Sequence, residues 1–527
     1  MSRATRIARV SARGGFHLFW GLIVSNVISA VSAIVVARML SPAEYGLVGV
    51  ASAAPGLIAL FRDWGMDNAM VRHIAQSRSE DNLAGARSTL IVGMTFMLLL
   101  GLALSVVSFF LSGFLAAQVF QRPEVTSLIR VVSFTVFTGA LLLVSESVFA
   151  GFETMNYRSV VLVSQASLKV LLSPFLIVLG LGALGAVLGA TLSSLLAGVV
   201  GIFLLYFFLY RKLPKWSSDN HGLAPTFRTM LRYGLPLFIS SIIGGFLAQF
   251  NSFLTAVYCS DQAIGNYSIA VNFTVLISFF SLPIGSVLFP AFSKLDSERD
   301  REDLATVFRL SVKYATLLVV PGAAAIMVLA PQAVYTFFGR KYSDAPLYLV
   351  VLCFGSLYTA LGSLSIGSFI NSRGRTSLSM KLALVNSAVG FPLSLLLVSR
   401  FQILGLIAAG LFTGVPSLVL SLWLIRRYWG VTVDYYASVK TLAASALAAI
   451  VTYALVSSVG SSLPYYVVLF LGALLFLAVY IVTVPLIGAA SKEDVQNMRE
   501  MLKELGPLSR LFNVPIGLIS RLARSEG

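Results

Sequence analysis

Lys169 stands near the middle of a long apolar stretch, and two chemistries are open to a cation placed there. Lys at the centre of a membrane helix costs about 2.5 to 3.5 kcal/mol, so it must face a wet cavity, where it would attract an anion, or meet an acid. Glu146 is the clear acid within the apolar part of the first half, and a Lys169–Glu146 pair holding two helices together is the plain structural reading. Gln165 and Ser173 flank Lys169 at four-residue spacing, which puts three polar side chains on one helix face. Arg38 and Arg62 close the first two apolar segments at opposite faces, where each could meet an anion at a gate or simply snorkel to the interface. Asn26, with Ser25 and Ser29, lies in the first segment, Gln249 and Asn251 in the seventh, and Asn272 and Asn386 further on. Such groups can bond a ligand, although bonds between neighbouring helices are their commoner use. A single histidine at the start of the first segment, His17, reads as an interface residue.

The elements that must position these residues are long apolar runs such as 88–121, 170–210, 233–260 and 441–491. A hydrocarbon core of about 30 Å needs about 20 apolar residues as a helix, so each run holds one span or two. Hydrophobic residues are 57% of the chain and charged ones only 11%, which excludes a soluble protein. We read an all-α polytopic membrane protein of about 14 transmembrane helices between residues 16 and 488. The apolar stretch from Phe16 onward is the first helix and not a removed signal. Turn-like breaks fall at Gly180-Leu181-Gly182 and between Ser457 and Pro464. Lys and Arg collect in alternate loops, 31 of 38 on one side and six on the other, which places both termini in the cytoplasm. The net charge of +16 is spread over those short loops, so orientation and anionic headgroups account for it, and no nucleic acid is called for. Cys259 and Cys353 suit small apolar fillers; two cysteines make neither a disulfide framework nor a metal site, and no cofactor is expected.

The chain repeats itself. The stretch Val36 to Val50 and the stretch Ala256 to Ala270 share a layout of helix end, polar turn with an acid, then a glycine opening the next helix, with Gly46 and Gly265 separated by 219 residues. Leu184-Gly185-Ala186 and Leu404-Gly405-Leu406 match at a separation of 220. Two matches at nearly one offset point to duplication, with an N-terminal lobe over 1–212 and a C-terminal lobe over 213–432, each of six helices. Six is even, so the lobes are expected as parallel repeats about an axis along the membrane normal, with the substrate path between them. Two added helices occupy 433–490, and a cytoplasmic amphipathic tail 491–527, basic and apolar after Pro507 and suited to resting on the cytoplasmic leaflet.

Ala37-Arg38-Met39-Leu40-Ser41-Pro42-Ala43-Glu44-Tyr45-Gly46 resembles the first-loop signature of the Wzx-type polysaccharide flippases, in the superfamily that also holds MurJ and the MATE exporters. Asp63 to Arg72, Gly151 to Arg158 and Gly339-Arg340-Lys341-Tyr342 resemble further segments of that family. The fourteen-helix reading departs from the twelve that many such flippases resemble. The resemblance implies a transporter, not an enzyme, that carries a lipid-linked oligosaccharide from the cytoplasmic to the outer leaflet of the plasma membrane by alternating access. For such a substrate Lys169, Arg38 and Arg62 are the residues expected to meet phosphate, and Asn26, Gln249, Asn251 and Glu146 those expected along the substrate's way. Membrane lipids are the further partner that the basic apolar tail suggests, with other glycan-assembly proteins docking there as the second reading. A polar sugar and a charged phosphate cannot cross hydrocarbon unaided, which states the need for such a carrier in physical terms. Two rivals are a MATE-like cation-coupled exporter, which would want acids within its first-lobe helices, and a membrane glycosyltransferase or polymerase, which would want paired carboxylates in a sizeable outer loop. The outer loops carry only isolated Glu44, Glu124, Asp261 and Asp344.

Overall fold

Serine, proline and glutamate start the first well-packed turn of the bundle. Ser41 accepts from the Glu44 amide while the Glu44 carboxylate accepts from the Ser41 amide, and Pro42 needs no donor at the first helical position. The computed structural model describes residues 3–214, 222–294, 301–373, 375–459, 462–494 and 496–497. The described residues are helical and contain no strand: α1 (Arg3–Met39), α2 (Pro42–Ala59), α3 (Met66–Ser79), α4 (Leu83–Phe114), α5 (Thr126–Gly151), α6 (Met155–Leu176), α7 (Gly182–Phe208) and α8 (Leu223–Tyr258) come first. They are followed by α9 (Asp261–Lys294), α10 (Arg301–Val328), α11 (Ala330–Phe337), α12 (Ala345–Cys353), α13 (Ser363–Ser372), α14 (Thr376–Trp429), α15 (Tyr435–Val459) and α16 (Tyr465–Ile487). The tail proposed to lie on the leaflet falls, from residue 498, outside the described residues.

Among the described residues nine helices are long and apolar enough to cross a membrane, or ten when the bent pair Ala345–Leu361 and Ser363–Ser372 is taken as one span. Two of them, Met155–Lys212 and Ser377–Trp429, run 58 and 53 residues and so have length for two passes each at about 20 residues a pass. These helices establish a polytopic all-α membrane fold and do not by themselves number fourteen spans. Met155–Lys212 is broken at the turn expected at Gly180-Leu181-Gly182, and Ser377–Trp429 is broken at Gln402. Gly182 (φ 50°, ψ −131°) and Gln402 (φ 51°, ψ −128°) share one backbone conformation at a separation of 220 residues, the offset of the glycine repeat. Glycine adopts that conformation freely, whereas glutamine is strained there by about 1 to 3 kcal/mol. Gln402→Gly is therefore expected to stabilise the protein by roughly 1 kcal/mol net of glycine's entropy cost. Thermal unfolding in detergent checks this; a lower melting temperature would count against strain at Gln402.

The chain divides into two compact units, Met1–Gly265 and Asn266–Gly527. In the first, α1 runs parallel to α6, with Gly21 against Ser159 at one end and Val36 and Leu40 packed with Ile177 at the other. α6 lies on α7, where Gly189 leaves room for the Ser173 backbone. Hydroxyls join the helices: Ser105 donates to the Ser133 carbonyl at 2.9 Å, and Ser108 and Ser133 hydroxyls meet at 2.8 Å. With no water in hydrocarbon, such small polar contacts and close backbones hold membrane helices together. α8 packs antiparallel on α2 and α3, with Gly56 facing Gln249 and Gly65 facing Gly234. In the second unit the Tyr480 hydroxyl donates to the Leu317 carbonyl at 2.8 Å, and Lys313 pairs with Asp494 at 2.5 Å. The Asn266 side-chain oxygen accepts from the Asp344 and Ala345 amides, both at 3.1 Å, and so satisfies donors at the start of α12. Phe292, Phe308, Phe369 and Trp429 form a chain of edge-on and tilted rings. Cys259 and Cys353 are free buried thiols.

Candidate functional site

Glu146 and Lys169 do not meet. The Glu146 carboxylate accepts from Arg158 Nη2 at 3.1 Å and Nε at 3.2 Å, and this ion pair ties α5 to α6 across the turn that joins them. Arg158, Gln165 and Lys169 recur at spacings of seven and four on one stripe of α6. Lys169 lies 11 residues beyond Arg158, roughly 16 Å along the axis at 1.5 Å per residue. Its side chain is exposed and makes no ion pair or hydrogen bond among the described residues. Its two neighbours at four-residue spacing are spent on packing: Gln165 Nε2 donates to the Ser194 hydroxyl at 3.0 Å, and the buried Ser173 hydroxyl donates to the Ala186 carbonyl at 3.2 Å. Lys169 is thus a cation on a spanning helix with no counter-charge among the described residues.

Arg62 is the second such cation. It sits just past α2, half-buried, with its guanidinium pressed against the bare backbone of Gly139 in α5, and it has no hydrogen bond or ion pair among the described residues. Asp63, Asp67 and Glu146 are near enough to act on its charge without touching it. Gly139 and Glu146 are seven residues apart and share a face of α5, so Arg62 and the Glu146–Arg158 pair lie along one line. Arg38 is exposed in the last turn of α1, where a cation complements the helix dipole. Asn26 is exposed on α1. Gln249 and Asn251, two residues apart, do not share a face of α8: Gln249 rests its side chain on Gly56 of α2, while the Asn251 side-chain oxygen is buried with no partner. Asn386 has a similarly buried, unpartnered oxygen in the second unit. The first unit therefore brings Arg62, Glu146 and Arg158 together, keeps Lys169 apart from them, and turns Gln249 and Asn251 in different directions.

One element escaped the reading from sequence. The connection between the second and third apolar segments is too polar to span and contains α3, whose Met66, Ala69, Met70 and Ile74 are wholly buried. Their spacing of three, four and eight is the helical signal that was available. On the adjoining face His73 packs edge-on to Tyr233, and the Arg72 guanidinium sits 4.3 Å from the same ring. Burial, and then the Arg72 charge, push the His73 imidazole below its ordinary range, so it is neutral at physiological pH. α3, the start of α4 and the start of α8 line a half-open cavity of about 480 Å³. At the far end of the unit Arg122 donates to the Ala256 carbonyl at 2.7 Å and the Cys259 carbonyl at 2.5 Å and pairs with Asp261 at 3.3 Å, closing the C-terminus of α8.

Residues 11–296 match the family model described as polysaccharide biosynthesis protein, more than half of the chain. The chain belongs to the polysaccharide biosynthesis protein family. A putative O-antigen transporter of Shigella dysenteriae is 21% identical to this family member over 72% of the chain and 90% of its own length. A probable low-salt glycan biosynthesis flippase of Haloferax volcanii is 20% identical over 51% of the chain and 57% of its own length. A solved structure of the lipid II flippase MurJ in an inward closed conformation superposes with a TM-score of 0.70 at 15% identity, over 89% of this chain and 98% of that one. At that identity the likeness is one of fold. The family match covers α1 to α8 and runs on into α9, so Arg38, Arg62, Glu146, Arg158, Lys169, Gln249 and Asn251 of this polysaccharide biosynthesis protein all lie within it.

Proposed function

We propose that the protein is a flippase that moves a lipid-linked oligosaccharide from the cytoplasmic to the outer leaflet of the plasma membrane by alternating access. The observation that carries this reading is Lys169 on a spanning helix, a charge that no described residue compensates. A phosphate on a lipid carrier supplies the missing counter-charge. Arg62, also unpaired, is a second phosphate contact nearer the end of the unit, and Arg38 a third at the opposite end of the spans. Asn26, Gln249 and Asn251 offer hydrogen bonds to sugar hydroxyls. Glu146 acts through Arg158, positioning α6 and hence Lys169. The two duplicated lobes, 1–212 and 213–432, supply the moving halves, both termini face the cytoplasm, and the tail after residue 490 offers a contact for other glycan-assembly proteins. The relatives, a probable glycan biosynthesis flippase and a putative O-antigen transporter, support this choice of substrate class. A cation-coupled exporter would need a free carboxylate among these helices, and Glu146 is engaged by Arg158. Reconstitution in vesicles with a lipid-linked oligosaccharide, read as glycan accessibility at each leaflet, tests the proposal. Protein-dependent exchange is expected, and none across several lipid-linked donors would overturn it.

A further inference from the structure

The cavity of about 480 Å³ beside α3 falls within the size range of small-molecule sites, and nothing in the transport reading uses it. Its lining is rich in oxygen acceptors. The buried Ser88 and Thr89 hydroxyls donate to the Ala84 and Gly85 carbonyls of their own helix, at 3.2 and 3.0 Å, and Thr226 donates to Gly222 at 3.3 Å. Gln76 spends an amide hydrogen on the Glu80 carboxylate at 2.9 Å. With those protons committed, the hydroxyl oxygens and the carboxylate remain as acceptors, while Asn82 Nδ2 and the second Gln76 amide hydrogen remain as donors, a mixed set that suits hydroxyls, which both give and accept. No Lys or Arg among the described residues lines the cavity, which argues against a phosphate. The fully buried Met230 contributes an apolar wall. Several hydroxyl donors beside a C–H face describe a sugar ring.

We propose that this cavity, at the end of the first unit that the basic loops assign to the cytoplasm, binds a neutral sugar through Glu80, Ser88, Thr89 and Thr226. The sugar is either a free cytoplasmic saccharide or a residue of the glycan awaiting transport; only the second rests on the flippase reading. The binding test uses the full chain in detergent, with glucose, galactose, mannose, rhamnose and N-acetylglucosamine as probes and spermidine as the cationic control, observed by saturation-transfer NMR. At least one sugar is expected to bind saturably, and Thr229→Trp, which fills the cavity from its rim, is expected to weaken it by about tenfold or more. Glu80→Gln, on an exposed side chain and so harmless to folding, is expected to weaken it as well. Binding of no sugar, sugar binding that survives both variants, or spermidine binding in place of sugar that is lost in Glu80→Gln overturns the proposal. Leaflet exchange by Thr229→Trp separates the two sources: slowed exchange assigns the transported glycan, and unchanged exchange with sugar binding lost assigns a free saccharide. Sugar binding in a protein that shows no exchange at all would leave the cavity's role standing while the flippase reading fell.

Discussion

Gly265→Val is expected to abolish stable folding of the first unit, with little monodisperse protein recovered in detergent. Gly46 in α2 and Gly265 in α9, the two glycines that mark the internal repeat, face each other directly. A Cβ on Gly265 would run into the Pro42 carbonyl, and one on Gly46 into the Asp261 carbonyl. Those obstacles are backbone atoms of helix first turns, which cannot rotate away as a side-chain tip can. Overpacking a close-packed site costs about 1 to 3 kcal/mol, occasionally more, when neighbours can shift, and here relief requires moving a helix. The Arg122 contacts to Ala256, Cys259 and Asp261 resist that movement. Gly265→Ala should be damaging in the same direction, and Gly46→Val should match Gly265→Val. Size-exclusion profiles and thermal unfolding decide the matter; a Gly265→Val protein with wild-type yield and melting would show that the helices separate freely.

Lys169→Gln is expected to fold normally and lose transport. Its exposed side chain supports no neighbour, so the substitution removes a charge without leaving a buried group stranded. A hydrogen bond to a charged group is worth about 1.5 to 3 kcal/mol, so loss of the phosphate contact should weaken substrate binding by roughly tenfold to a hundredfold. Lys169→Arg should restore much of it. Glu146→Gln should behave in the opposite way, lowering stability by roughly 1 kcal/mol or more through the half-buried Arg158 it leaves unpaired. Transport is read in vesicles and folding by melting in detergent for the same preparations. Normal transport by Lys169→Gln would remove the residue from the binding surface, and poor folding of that variant would mean that it has a structural partner after all.

The all-α membrane fold was legible in the chain because hydrocarbon imposes a length and an apolarity on every span, and both are visible residue by residue. The turn at Gly180–Gly182 was legible too, since its two glycines mark where the backbone leaves the helix. α3 was passed over because it is short and polar, and hydropathy cannot see a helix that rests one narrow stripe, Met66 to Ile74, on the bundle. Sequence alone determined that Glu146 and Lys169 are charges in an apolar setting that need an explanation. It left open whether they explain each other. Only the tertiary structure decided that: α5 and α6 run antiparallel from a tight turn, so Glu146 is opposite Arg158, twelve residues away, while Lys169 is carried a further three turns along α6 and left without a partner. Which charge faces which is set by the register of packed helices, a relation between residues distant in the chain that composition and periodicity do not contain.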